Sequence, residues 1–128
     1  MTPKFETELV VQAIDDKHWK LVEDLVYRSN IVGLVYVPAG FLTDFASVPR
    51  LPFAYLLAGN TAHAAATVHD ALYQTQPCTK SQADRTFREA MGVTGIAPWR
   101  KNLMYAAVVL GGWPAWLNGR KRCKKLGN

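Results

Sequence analysis

Cysteine is scarce in this 128-residue chain: Cys78 and Cys123 are the only two, 45 positions apart. Two thiols cannot build a four-ligand zinc site or a disulfide scaffold. Long hydrophobic runs are missing as well. The most apolar stretch, Leu103 to Leu117, is interrupted by Gly111-Gly112 and Pro114. It falls short of the about 20 residues that span a bilayer, so it reads as a core helix followed by a turn. No Gly-rich loop leads into Lys-Ser/Thr, no G-x-G-x-x-G follows a strand and no G-x-S-x-G elbow occurs. These absences remove the phosphate-loop, dinucleotide-binding and serine-hydrolase readings. Ser47 stands before Val48-Pro49 without an evident base, and Cys78 beside Pro77 has no sequence-local activator. Met1 to Glu6 lacks the charged-then-apolar plan of a signal peptide, so a cytoplasmic location is expected.

Acidic residues are absent beyond Glu89, and that asymmetry locates the charge. Lys and Arg number 15 against 10 Asp and Glu, a formal net charge of +5. Five of the basic residues lie in Arg120-Lys121-Arg122-Cys123-Lys124-Lys125, which leaves ten basic and ten acidic residues over positions 1–119. Length and composition, 49% hydrophobic and 20% charged, fit one soluble globular domain. The expected organisation is a single α+β domain over 1–119 and a basic C-terminal tail over 120–128. The tail is either a solvated, frayed end or a polyanion-binding arm, with Arg120, Lys121 and Arg122 as its candidate contacts to phosphate backbone or anionic lipid. Trp113 and Trp116 directly before it have the aromatic-plus-basic character of a membrane-interface flank. A C-terminal helix docked on the sheet also explains the tryptophans.

The first third reads as β. Phe5 to Ile14, Trp19 to Tyr27 and Ile31 to Val37 are rich in Val, Ile, Leu and aromatics, with turn residues at Asp15 to His18 and Arg28 to Asn30. Links this short predict an antiparallel meander of about three strands, with Trp19, Leu21, Glu23, Leu25 and Tyr27 on one face. Beyond Pro38-Ala39-Gly40, the prolines Pro49 and Pro52 exclude an ordinary strand, and a short helix over Leu51–Ala58 is expected. Three further helices follow. The first runs from Asn60 or Thr61 through Gln74, before Pro77. The second runs from Thr79 or Lys80 through Met91, with Ser81 and Asp84 as candidates for its free first-turn N–H groups. The third opens at Pro98 and continues to about Leu110, where Gly111-Gly112 and Pro114 stop it. The fold class is therefore α+β, a small N-terminal antiparallel sheet packed on a C-terminal half of three helices.

Polar residues able to work together lie between Asp44 and Asp84. On a helix, His63, Thr67 and Asp70 share a face, and His69 and Tyr73 share the adjoining stripe with Ala62 and Ala66. The small alanines let another element approach closely, so that His69 and Asp70 line one crevice. Imidazole with two or three carboxylates suits Zn²⁺, Mn²⁺ or Mg²⁺, and Asp44 and Asp84 are the further carboxylates on hand. Each residue also has a plain structural role. A histidine in an apolar helix packs and hydrogen-bonds, and Asp44 can turn its loop or pair with Arg50. Asp84 suits a helix's first turn or an i,i+4 pair with Arg88. His69-Asp70 lacks the spacing of HD-type phosphohydrolases, because His63 and Asp84 are too close in sequence for that all-helical layout.

Four ordered blocks resemble a phage and prophage family catalogued as domain of unknown function 1353. They are Gly40-Phe41-Leu42-Thr43-Asp44-Phe45-Ala46-Ser47-Val48-Pro49-Arg50, Ala65 to Tyr73, Ala83 to Met91, and Tyr105-Ala106-Ala107-Val108 with Gly111. Together they cover most of Val37 to Trp116. The chain has Lys80 where the family usually has Arg shortly before its Ala-Asp pair, and Val109 where an Arg tends to follow Ala-Val, so a role needing a planar guanidinium is not carried over at either place. The resemblance implies a phage-encoded protein in the host cytoplasm or the virion, brings no assigned activity, and centres its signature on Asp44, His69, Asp70 and Asp84.

Three functions remain open. One is a metal-dependent hydrolase in which Asp44, His69 and Asp70 hold a divalent ion, Asp84 is a ligand or general base, and Tyr73 bonds the substrate. The second is a non-enzymatic virion component, in the tail or head-to-tail region, that assembles with other phage structural proteins. There the same residues form a buried polar network. The third is a host-directed binder using its basic tail for polyanions, without a dedicated nucleic-acid-binding motif.

Overall fold

The computed structural model describes residues 2–15, 18–43 and 60–126, with side chains throughout except over 60–62 and 120–126. The β region is two small antiparallel sheets. One has the order β1 (Lys4–Phe5), β4 (Leu25–Ser29), β5 (Gly33–Val37). The other has the order β2 (Val11–Ala13), β3 (Trp19–Leu21), β6 (Leu42–Thr43). Two of the expected long strands are thus each split in two. Trp19 to Tyr27 breaks at Val22-Glu23-Asp24 because the Asp24 carboxylate reaches across the chain, accepting from the Ala39 N–H at 2.7 Å and from the Tyr36 hydroxyl. The Asp24 carbonyl accepts from Thr7 Oγ1 at 3.0 Å, which ties the corner to the segment between β1 and β2. The expected alternation survives the break: Leu21, Leu25 and Tyr27 all point into the core.

β4 and β5 form a hairpin in register from Leu25↔Val37 to Ser29↔Gly33. Ser29 Oγ accepts from the N–H groups of Ile31 at 2.9 Å and Val32 at 3.3 Å, closing the turn. Gly33 completes it at φ +82°, a conformation that costs glycine nothing.

The helical half comprises α1 (Asn60–Thr75), α2 (Lys80–Val93), α3 (Pro98–Gly111) and α4 (Trp113–Leu126). That is one helix more than expected after Asn60. Pro114 does not end the helical region, because it occupies the first turn of α4, where a missing N–H is harmless. Residues 120–126, set apart above as a tail, continue the α4 backbone. The cap of α2 also differs from expectation: Thr79 Oγ1 accepts from the Gln82 N–H at 3.1 Å, and Gln82 Oε1 accepts from the Thr79 N–H at 3.0 Å. This capping box does the work proposed for Ser81 and Asp84. The helix expected over Leu51–Ala58 lies outside the described residues.

The core joins both halves. Leu21, Leu25, Tyr27 and Val37 from the sheets meet Val68 and Leu72 of α1, Phe87 and Met91 of α2, and Met104 and Val108 of α3. Ala65, Ala66, Ala83 and Ala90 are fully buried, and their small side chains let α1 and α2 lie close together. That close pairing places α1 and α2 polar side chains within hydrogen-bonding distance.

Candidate functional site: an Asp84-centred network

Asp84 lies one turn inside α2 and is 1% exposed. Its Oδ1 accepts from Tyr73 Oη at 2.5 Å and pairs with His69 Nε2 at 2.8 Å, both on α1. Its Oδ2 accepts from Lys80 Nζ at 2.8 Å, one turn earlier on α2. Lys80 also donates to the carbonyls of Val108 at 2.9 Å and Val109 at 3.2 Å, near the end of α3. The Val108 carbonyl also accepts from the Gly112 N–H at the C-cap, and a cation beside these last carbonyls opposes the negative end of the helix dipole. The Trp113 ring of α4 closes the site from above, with its centroid 4.8 Å from the Lys80 nitrogen.

Aromatic rings wall the network. His69 sits between the rings of Tyr73 and Phe87, with centroids 4.2 and 4.7 Å away. Trp116 of α4 meets Tyr73 edge-on at 5.2 Å. Close approach of α4 depends on Gly119, whose absent side chain leaves room for the Tyr73 carbonyl, and Gln76 Nε2 donates to the Trp116 carbonyl at 2.7 Å.

Burial pushes the Asp84 carboxyl upward, but hydrogen bonds from His69, Lys80 and Tyr73 outweigh it and hold the group below the ordinary carboxylate range. Burial pushes His69 down, and the Lys80 charge adds to this, against the opposing hydrogen bond and charge of Asp84. His69 is therefore neutral and donates from Nε2, since its carboxylate partner can only accept. Burial, followed by the Asp84 hydrogen bond, raises the Tyr73 hydroxyl far above its usual range. The network is one buried anion balanced by one buried cation and bonded by two neutral donors.

Of the residues singled out from sequence, His69, Tyr73 and Asp84 come together. Asp70 lies on the neighbouring stripe of α1, buried, and accepts from Gln74 Nε2 at 3.2 Å. Asp44 and Arg50 lie outside the described residues, as do the side chains of Arg120, Lys121 and Arg122. Among the described residues, no group of three or more His, Cys, Asp or Glu side chains is placed to hold a metal ion. Asp84 pairs with Lys80 rather than with Arg88, whose guanidinium lies 5.3 Å from the Tyr105 ring centroid. Sequence reasoning passed over Lys80 as a network member, although its i,i+4 spacing to Asp84 was the signal.

A cleft lies elsewhere among the described residues. A cavity of about 390 Å³ between β5 and the end of α1 is lined by Tyr36, Phe41, Leu72, Cys78 and Gln82 among others. No His, Asp, Glu, Lys or Arg is among its described lining residues. Burial, and behind it the Asp84 charge, pushes the Cys78 thiol up, away from the reactive thiolate.

The chain belongs to the domain of unknown function 1353 family, a family of proteins of unknown function, which matches residues 19–108. No curated protein and no solved structure matches it. The matched stretch contains His69, Tyr73, Lys80, Asp84 and Val108 and ends before α4.

Proposed function

We propose, on the premise of that family membership, that this chain is a non-enzymatic, phage-encoded assembly component whose Asp84 network locks its helical half. The observation that carries this reading is the engagement of both Asp84 oxygens inside the protein. Both carboxylate oxygens are engaged by Lys80, His69 and Tyr73, away from the cleft. Lys80 stands 2.8 Å from Oδ2, where its positive charge opposes a metal cation. Among the described residues, every buried side-chain polar atom has a partner, as expected of a network that specifies structure. Assembly is supported by β5, an edge strand of its sheet among the described residues, whose outward face exposes Leu34 and Tyr36. Such an edge suits pairing with a neighbouring chain. Phage origin rests on the likeness of the four sequence blocks.

Thermal melts test this reading against the metal-hydrolase alternative, in which Asp44, His69 and Asp70 hold Zn²⁺, Mn²⁺ or Mg²⁺. The wild-type melt should be unmoved by EDTA and by each of these ions, and Asp84→Asn should lower the melting temperature equally in all conditions. An ion at a hundred times its dissociation constant would stabilise the fold by about 2.7 kcal/mol. A shift of that size, abolished in Asp70→Asn, would replace the structural reading with the metal site.

A further inference from the structure

We propose that the outer face of α3 and α4 is a docking surface for an anionic lipid bilayer. Trp99, Leu103, Leu110, Trp113 and Leu117 are 63%, 47%, 81%, 52% and 46% exposed. Their spacings of 4, 7, 3 and 4 residues set them on one helical stripe. The stripe runs across the junction between the helices. The two helices join through Gly112, whose N–H donates to the Val108 carbonyl at 2.9 Å and whose carbonyl accepts from the Trp116 N–H at 3.0 Å. The opposite face is buried: Met104, Val108, Gly112 and Gly119 pack inward. Five large apolar side chains in one exposed row exceed the scattered exposure ordinary for a soluble surface.

Charge identifies what would cover this row. Residues 90–128 carry seven Lys and Arg and no Asp or Glu. Five of the seven lie in residues 120–125, at the end of α4. A second copy of this face would bring like charges together. A nucleic-acid backbone would answer the charge but leave the apolar row unused. An anionic membrane surface answers both, with headgroups facing the basic residues and the tryptophans and leucines entering the acyl boundary. No helix of the described residues is long and apolar enough to cross a membrane, so the pair would lie in the plane of the interface.

The test is co-sedimentation with vesicles of phosphatidylcholine, alone or mixed with phosphatidylglycerol, together with tryptophan emission. The protein should bind the mixed vesicles only, with a blue-shifted emission, and salt should release it. Lys121→Gln and Lys124→Gln should each weaken binding about fivefold. Leu103→Ser with Leu110→Ser should weaken it about tenfold or more at an unchanged melting temperature. If that double variant melts lower, Leu110→Ser alone carries the comparison, since Leu110 is the most exposed of the five. Failure to bind the mixed vesicles overturns the proposal, as does binding indifferent to the leucine substitutions. Duplex DNA bound as tightly as the mixed vesicles would reassign the charge to nucleic acid. A dimer dissociated by the leucine substitutions would reassign the row to a second copy.

Discussion

Lys80 carries three N–H donors and faces three acceptors: Asp84 Oδ2 and the carbonyls of Val108 and Val109. A compact ammonium serves this arrangement without the planar fork of an arginine. Lys80→Met would strand a buried carboxylate and should cost about 3–5 kcal/mol in urea unfolding. Tyr73→Phe removes one charge-assisted hydrogen bond and should cost about 1.5–3 kcal/mol. If Lys80→Met costs no more than the exposed Lys4→Met, the network contributes nothing. Acid adds a second test. His69 is held below its ordinary 6.5, so the unfolded chain takes up a proton that the folded chain refuses. Its contribution is complete above pH 6.5. It falls by about 1.4 kcal/mol per pH unit below that, until the folded value is reached. Asp84, held below 3.8, loses its contribution only at lower pH, as the carboxylate is protonated in the fold. Stability measured between pH 7 and 5 should therefore decline in the wild type and flatten in His69→Gln. An equal decline in both would place the titration elsewhere.

At the scale of elements, local signals were legible and long-range ones were not. Pro98 opens α3 as expected, and the buried parity of Leu21, Leu25 and Tyr27 follows from alternation alone. The break at Val22-Glu23-Asp24 depends on Asp24 meeting Ala39, 15 positions away, which no pattern within the strand reveals. The three site residues were legible because His69 and Tyr73 share a helical stripe and α2 follows α1 after a short link. α4 was missed because a proline after two glycines signals a stop more strongly than a restart. Its junction gives a prediction with a reversed sign. Alanine normally stabilises a helix relative to glycine by about 1 kcal/mol. At Gly112, however, an added Cβ would press on the Val108 carbonyl and stand 2.7 Å from the Tyr73 hydroxyl. Gly112→Ala should therefore destabilise, and a higher melting temperature would show that the α3–α4 junction moves away from Tyr73 at no cost.

Across the whole molecule, the sheets and helices meet in one core, and α4 packs against the network through Tyr73, Gln76 and Lys80. Trp116 covers Tyr73, Gln76 holds the Trp116 carbonyl, and Gly119 allows the contact; all three interactions end before the five clustered cations. Stability and charge are thus divided along a single helix. Removing residues 113–128 should cost about 3–5 kcal/mol, the range for losing a packed tryptophan, and should expose the network to water. Removing only 120–128 keeps these contacts and deletes five positive charges. Its cost should stay within about 0.5 kcal/mol, as for changes outside packed features, while retention on a heparin column falls sharply. Two melting curves and two salt elutions separate the cases. If the shorter deletion melts as early as the longer one, residues 120–126 are docked structure, and the charge cluster serves the fold before it serves any partner.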